Sequence, residues 1–356
     1  MAKVIVGMSG GVDSAVCAYL MKAAGYDVIG VTLRTWLSKD GKDSRCCEID
    51  DAQVVAQALD IPYYVVNCIA EFKEKVTQPF IREYISGRTP NPCTGCNRNL
   101  KWGKLIETAR NMQADFVATG HYANVVKLDN GRFTFRKADH IHKDQTYMLY
   151  ELTQEQIAST LMPLGKLTKD EVREIAKSAG LPVAGKPDSQ EICFVPEGSY
   201  AEYIEENAPD DVAGPGNFVD IDGNILGEHK GIIHYTVGQR KGLGIAMGYP
   251  IFVKEIRACS NEVVLAKENE LYSNRVICED VNLMSISALN EDTPCTVKVR
   301  YRDSGSKALI SDNGDGRVLI RFDEPVRAAA SGQAAVFYDD DDCLIGGGII
   351  AEVSNG

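Results

Sequence analysis

Two stretches of this chain put chemistry-bearing side chains at spacings that define reactions. The first is Gly7-Met8-Ser9-Gly10-Gly11-Val12-Asp13-Ser14, which follows an apolar β-type run and opens the helical pattern of Ser14 to Met21. Adjacent glycines let backbone N–H groups turn toward a ligand, and the mouth of the following helix adds partial positive charge. Such a turn is an anion cradle. Ser9 and Ser14 offer hydroxyls, and Asp13 offers a carboxylate for Mg2+. A Walker loop would also carry a Lys for the β and γ phosphates, yet none follows Gly11. Gly180 to Lys186 mimics a Walker loop, but Pro187 stands where Ser or Thr is required and no predicted strand precedes it.

The second stretch is Asn91-Pro92-Cys93-Thr94-Gly95-Cys96, stiffened by Pro90 and Pro92. Cys96 is expected at the mouth of a helix running from Asn97 to Met112, where the dipole lowers a thiol pKa. A C-x-x-C pair alone serves equally as a redox dithiol, half a zinc site or two ligands of an iron–sulfur cluster. A third cysteine must decide, and Cys193, in the loop Pro187 to Phe194, is the strongest candidate. Cys46 and Cys47 read as packing at a helix start. Cys17, Cys68, Cys259, Cys278, Cys295 and Cys343 fall in apolar periodic contexts and read as small core residues.

Elements must hold these groups in place, and the pattern supplies them. Strand and helix alternate through the first 120 residues: strands Asp27 to Thr35, Tyr63 to Asn67 and Phe116 to Thr119, helices Ile49 to Leu59 and Glu71 to Ile85. Such alternation predicts a doubly wound parallel sheet with phosphate-binding turns at the carboxyl ends of its strands. A hairpin turns at Asp129-Asn130-Gly131, and helices return at Gln154 to Leu161 and Thr168 to Ala179, the latter with a Thr168/Glu171 capping box and a Gly180 stop. Beyond Ala208 come short glycine-punctuated strands, Phe218 to Ile221, Ile232 to Val237, Ile251 to Ile256 and Val263 to Ala266. From Arg275 onward nearly all is β, with strands at Asn282 to Met284, Thr296 to Tyr301, Lys307 to Ser311, Arg317 to Phe322, Ala334 to Tyr338 and Leu344 to Val353. This spacing predicts a small barrel. The expected fold is thus multidomain α/β plus β: a catalytic α/β domain at 1–207, a small central β-rich domain at 208–275 and a C-terminal β-barrel at 276–356.

Composition narrows the classes. At 356 residues, 44% hydrophobic, the chain suits two or three globular domains. It shows no targeting leader and no apolar run of membrane length, so the cytoplasm is expected and no membrane partner is. Eleven cysteines in such a chain point to thiol or metal chemistry more than to disulfides. A net charge of −12 excludes a protein that coats nucleic acid unspecifically. A local basic face remains: Lys230, Arg240, Lys241, Lys254 and Arg257 accompany only Glu255. Gln239-Arg240-Lys241-Gly242 fits a phosphate-tracking surface. The run Asp339 to Asp342 reads as a solvated turn, and His140 and His142 as facing solvent or RNA.

The loop Ser9 to Ser14 resembles that of the N-type ATP pyrophosphatases (adenine nucleotide alpha-hydrolase-like), which hold the β and γ phosphates as a leaving group while a substrate oxygen attacks the α phosphate. Several further motifs follow in order: Asn91 to Asn97, Gly120-His121-Tyr122-Ala123, Lys143-Asp144-Gln145 with Tyr147, Asp188 to Phe194, and Gly238 to Gly244. With these the chain closely resembles the tRNA-uridine 2-sulfurtransferases, the MnmA/TrmU family, from Lys3 to about Val353. The resemblance implies an enzyme that adenylates the 2-oxygen of a wobble uridine with ATP and Mg2+, releases pyrophosphate, and then lets sulfur displace AMP to give 2-thiouridine. It implies ATP contacts at Gly7 to Ser14, Leu33 and Gly120, and sulfur chemistry at Cys193 with Cys96 as partner thiol. It implies a base-facing segment at Asn91, Pro92 and Cys93, and tRNA contacts at His121, Lys143, Asp144, Gln145, Arg300, Tyr301 and Gln333. An anticodon loop is single-stranded, so flipping its wobble base into a pocket is comparatively cheap.

One departure bears on the sulfur step. The family commonly carries Asp where this chain has Cys93. Cys93, Cys96 and Cys193 together suit a 4Fe–4S cluster with one open iron that accepts sulfide, and the extra soft ligand favours that arrangement. The alternative is a persulfide received by Cys193 from a carrier protein and attacked by Cys96. Two other functions compete with the whole reading. Another N-type pyrophosphatase would adenylate a small substrate, without need of paired cysteines or a barrel. A non-catalytic iron–sulfur tRNA-binding protein would need no pyrophosphate cradle.

Overall fold

The computed structural model describes residues 1–37, 48–187, 192–195 and 199–355. Cys46, Cys47 and the stretch 188–191 lie outside these.

Strand β1 (Lys3–Gly7) leads through the glycine loop into α1 (Val12–Ala23), followed by β2 (Asp27–Arg34), α2 (Ile49–Ala58) and β3 (Tyr63–Asn67). Helices α3 (Ile69–Phe72) and α4 (Gln78–Ile85) join through a π turn at Lys73–Thr77. Helices α5 (Pro92–Cys96) and α6 (Gly103–Asn111) join through another at Asn97–Trp102, before β4 (Phe116–Ala118). A hairpin of β5 (Asn124–Lys127) and β6 (Phe133–Arg136) turns at Gly131, whose φ is +82°. Then come α7 (Gln154–Ala158), the short strand β7 (Thr160–Leu161), α8 (Lys169–Ser178) and α9 (Tyr200–Asn207).

The first sheet is wholly parallel, in the order β3-β2-β1-β4-β7. Its two faces sort the residues of β1 by the two-residue period of a strand. Val4 and Val6 pack with Ala15, Val16 and Val172 of the flanking helices, and Ile5 packs with Leu100, Trp102 and Leu105 on the other face. Covered on both sides, the sheet presents its strand ends as the place for a ligand.

A four-stranded sheet follows: β8 (Gly216–Val219), β9 (Ile225–His229), β10 (Phe252–Arg257) and β11 (Glu262–Ala266), in the order β10-β11-β8-β9. The remaining strands, β12 (Tyr272–Leu283), β13 (Thr293–Lys298), β14 (Ser306–Asp312), β15 (Val318–Arg327), β16 (Ala334–Tyr338) and β17 (Leu344–Ser354), close a six-stranded barrel. The barrel is filled by Val276, Val297, Ile310, Ile320, Phe337 and Ile350.

Several expectations are corrected. The cysteine helix begins at Pro92, with Asn91 as its cap accepting the Cys93 N–H at 3.1 Å, so Cys96 lies a turn inside it and Cys93 is at its mouth. Pro at the first helical position starts the helix early because its missing N–H is an unused donor there. The helix predicted to reach Leu161 ends at Ala158, and β-branched Thr160 joins Leu161 in extending the sheet beside β4. Ile232–His234 is a 3-10 turn, not a strand, entered through Gly231 at φ +125°. The strand expected at Asn282 to Met284 is the tail of twelve-residue β12, whose alternation is hidden by a register shift around Asp280 (φ +50°). Helix α9 was not anticipated, although Ser199 and Glu202 form its capping box. Cys17, Cys68, Cys278, Cys295 and Cys343 are buried as expected, but Cys259 is exposed in the 3-10 turn between β10 and β11.

Candidate functional site

Three neighbouring strands pin the glycine loop at the carboxyl edge of the sheet. Met8 donates its N–H to the Val31 carbonyl at 2.8 Å, Thr32 Oγ1 donates to the Met8 carbonyl at 2.7 Å, and the Tyr63 hydroxyl donates to Thr32 Oγ1 at 2.7 Å. Inside the loop, Ser14 Oγ accepts the Ser9 N–H at 3.1 Å and donates to the Gly11 carbonyl at 3.1 Å. Gly10 has φ +78°, and a Cβ there would fall 2.5 Å from the Glu48 carbonyl. Gly120, just past β4, presses on the loop from the other side, where a Cβ would lie 2.6 Å from the Asp13 carbonyl carbon and 2.7 Å from the Ser14 nitrogen. Both glycines are needed for close approach of backbone to backbone. Leu33 is buried near the end of β2 in the core cluster that includes Ile5.

Asp13 is engaged differently from expectation. Its carboxylate accepts the Lys169 ammonium at 2.7 and 2.9 Å and the Tyr122 hydroxyl at 2.8 Å. It therefore ties α1 to α8 and to the segment after β4. Lys186 is the second unexpected neighbour: its ammonium pairs with Glu48 and Asp51 at the start of α2 and lies 3.4 Å from the Gly10 carbonyl. Neither lysine nor Tyr122 was assigned a role from the sequence. Tyr122 sits within the Gly120-to-Ala123 motif, and Lys169 follows the Thr168 cap, so each had a local signal.

The cysteine sites share one apolar bed. Cys96 belongs to the cluster that includes Ile5, Leu33, Phe72 and Phe194, and half-buried Cys193 packs against it. Phe194 anchors the Cys193 turn by edge contacts with Phe72 at 5.6 Å and Phe80 at 5.3 Å. Cys93 is exposed, and Cys96 is only 7% exposed. Among the described residues no set of three or more His, Cys, Asp or Glu side chains comes together as metal ligands. Of the three thiols expected to ligate a 4Fe–4S cluster, Cys93 is exposed at the helix mouth, Cys96 is buried and Cys193 is half-buried. Burial pushes the Cys17 thiol far up, and burial together with the Glu279 charge does the same for Cys278, which makes both inert packing groups.

The remaining predicted contacts converge on the stretch between β15 and β16. Thr89, just before Asn91, donates its N–H to the Ser331 carbonyl at 2.8 Å and accepts from Gln333 Nε2 at 2.8 Å. Arg300 donates to the Arg327 carbonyl at 2.8 Å. A Cβ on Gly238 would lie 3.1 Å from Ala328 Cβ, so the turn carrying exposed Arg240 and Lys241 abuts the same stretch. Gln239 staples that turn by accepting the Thr236 N–H and donating to the Lys241 carbonyl, each at 3.0 Å. The Tyr301 ring lies 5.9 Å from that of Tyr147 at a tilt of 58°, and its hydroxyl lies 3.4 Å from the Asp144 carbonyl.

Asp144 and Gln145, expected as tRNA contacts, are also bonded within the fold. The Asp144 carboxylate is buried and accepts from the Ala138 N–H at 3.0 Å and Thr146 Oγ1 at 2.7 Å, and burial pushes its pKa up. Gln145 exchanges two backbone-directed bonds with Tyr122, each 3.0 Å. Both hold the half-buried Lys143 segment in place. His140 and His142 are exposed.

His121 bonds Thr119 Oγ1 at 2.9 Å and stacks by Trp102 at 5.3 Å. Burial, aided by the Lys101 charge, lowers its pKa to about 3, so it meets a ligand as a neutral ring and not as a cation. The unfolded chain takes up this proton near the ordinary value of 6.5 while the folded chain refuses it. Stability from this group is complete above that value and is lost as pH falls toward 3. His121→Phe, which keeps the ring, should show a smaller drop in melting temperature than the unaltered protein between about pH 7 and pH 5. Equal slopes would contradict the assignment.

Three family models match in sequence: "tRNA methyl transferase HUP domain" over residues 2–197, "tRNA methyl transferase PRC-barrel domain" over 201–267 and "Aminomethyltransferase beta-barrel domain" over 273–350. Full-length relatives bear a different name. The chain is 52% identical to the tRNA-specific 2-thiouridylase MnmA of Lachnoclostridium phytofermentans, over 98% of this chain and 99% of that protein. It is 51% identical to the protein of the same name from Clostridium perfringens, over 98% of each, and 49% identical to that of Clostridium beijerinckii, over 99% of each. A pyrophosphate-type loop without a lysine, paired with C-x-x-C and a distant third cysteine, agrees with the name of these relatives. At this identity across nearly the whole length, the chain belongs to the tRNA-specific 2-thiouridylase family.

Proposed function

We propose that the chain catalyses ATP-dependent 2-thiolation of the wobble uridine of tRNA. The observation that carries this reading is the shared foundation of its two chemistries. Ile5 and Leu33, on the strands that hold the glycine loop, lie in the same apolar cluster as Cys96, with Cys193 packed against it.

ATP binds with its β and γ phosphates on the loop Ser9 to Ser14, where backbone N–H groups and the start of α1 face the anion. Mg2+, when bound, neutralises phosphate charge and polarises the α phosphorus. Asp13, Ser9 and Ser14 would supply the oxygen donors on the protein side, with Asp13 also bonded to Lys169 and Tyr122. The uridine 2-oxygen attacks the α phosphorus, the bond to the β-bridging oxygen breaks and pyrophosphate leaves. The base, now an adenylate at its 2-oxygen, is activated at C2.

Sulfur arrives as a persulfide on Cys193, supplied by a persulfide-bearing carrier. The Cys96 thiolate attacks the inner sulfur and expels hydrosulfide, and a Cys96–Cys193 disulfide remains for an external thiol to reduce. Hydrosulfide adds to C2 and AMP departs with the former 2-oxygen. The exposed Arg240 and Lys241, on the turn that abuts the stretch between β15 and β16, and Tyr301, beside Tyr147, follow the RNA backbone and flank the base.

The test is nucleoside mass spectrometry on an unmodified tRNA transcript incubated with Mg-ATP and a persulfide donor. A 2-thiouridine peak together with tRNA-dependent pyrophosphate release is expected. Pyrophosphate release unaffected by tRNA would overturn the substrate. Thiolation that requires reconstituted iron would overturn the persulfide route.

A further inference from the structure

The glycine loop carries no lysine of its own, yet a lysine stands over it. We propose that Lys186 supplies, from a distant segment of the chain, the ammonium that binds the pyrophosphate portion of ATP. This deepens the reading of the loop as an ATP site and rests on it.

Local structure delivers the side chain. Helix α8 ends through Gly180 at φ +66°, with the Leu181 N–H bonded to the Ala176 carbonyl at 2.9 Å. Apolar Leu181 and Val183 are buried against the helical face of the sheet, and the Lys186 N–H closes a further turn on the Val183 carbonyl at 3.0 Å. Pro187 then fixes the backbone beyond. The lysine is therefore carried by an ordered, well-packed turn.

Its present partners define its use. An ammonium has three donors. Two go to Glu48 and Asp51, while the third faces the Gly10 carbonyl at 3.4 Å, longer than a good hydrogen bond. That weakly used donor sits at the rim of the amide cradle. Glu48 is fixed there as well, since its N–H bonds the Ser9 carbonyl at 3.2 Å. Two carboxylates this close to a polyanion site would repel it, and Lys186 offsets half of their charge. A phosphate oxygen is a stronger acceptor than a peptide carbonyl, so the third donor turns to it when the nucleotide arrives.

Isothermal titration with inorganic pyrophosphate and with Mg-ATP distinguishes binding from mere neutralisation. Lys186→Met should weaken both by about tenfold or more, as for loss of a hydrogen bond to a charged group. The pair Glu48→Gln with Asp51→Asn should bind pyrophosphate at least as tightly as the unaltered protein. Adding Lys186→Met to that pair should again cost about tenfold. If the triple variant binds as well as the pair, Lys186 only masks the carboxylates and the proposal falls. If the unaltered protein binds neither ligand, the ATP reading itself is wrong, a result separate from the variants. tRNA affinity and melting temperature report folding in each case.

Discussion

Cys193→Ser is expected to abolish formation of 2-thiouridine, a loss on the order of 10⁴-fold or more for a removed nucleophile. tRNA affinity and tRNA-dependent pyrophosphate release should stay near the unaltered values. The separation follows from where the thiol lies. Cys193 is half-buried at the edge of the apolar cluster, while its neighbour Phe194 takes the fully buried position against Phe72, Phe80 and Tyr203. A serine fits the same turn without disturbing that anchor. It cannot carry a sulfane sulfur, because an alcohol neither accepts nor releases one at neutral pH. Nucleoside mass spectrometry beside a pyrophosphate assay reads both halves. Thiolation at the original rate would remove Cys193 from the chemistry, and a parallel loss of pyrophosphate release would reduce it to a structural residue.

Gly120→Ala should cripple nucleotide turnover although it adds a single methyl group. Its Cβ would sit 2.6 Å from the Asp13 carbonyl carbon and 2.7 Å from the Ser14 nitrogen, and these are backbone atoms of the phosphate loop that have no rotamer to yield. The loop or β4 must shift. Overpacking of this kind costs about 1–3 kcal/mol of stability. The larger effect is on geometry, since displacement of a binding group by about 1 Å costs roughly 100-fold in rate. Pyrophosphate release should fall by about that factor while the fold survives below a lowered melting temperature. A variant with unchanged turnover would show that the contact relaxes without moving the loop.

Much of this was legible because local signals carry it. The turn Ser9 to Ser14, the Thr168/Glu171 box before α8 and the Asp129 to Gly131 hairpin each have a short-range physical cause, and each stands where the residues indicate. The parallel sheet followed from alternation alone. What escaped were relations between distant segments. Lys169 and Lys186 reach the loop across 156 and 176 residues, and no spacing rule announces such a meeting. Cys259 has apolar neighbours in sequence yet faces solvent, because the turn at Ala258–Ser260 lifts it off the strand. The length of β12 was hidden by its irregular register, since one extra residue inverts the alternation that marks a strand. Asp144 belongs to a motif expected to meet RNA, and only the fold shows its carboxylate also bonded to Ala138 and Thr146.

The clasp of Thr89 by Ser331 and Gln333 has a consequence in time. Gln333 follows Thr89 by 244 residues. At translation rates of about 5–20 residues per second, roughly 12–50 s separate the synthesis of the cysteine loop from that of the residues that grip it. The nucleotide loop, its strands and Gly120 are all made before that interval is half over. A nascent chain can therefore complete its phosphate cradle while its thiol loop is still ungripped. A chain cut short before the barrel closes is thus left with the segment carrying Cys93 and Cys96 without its Ser331 and Gln333 clasp.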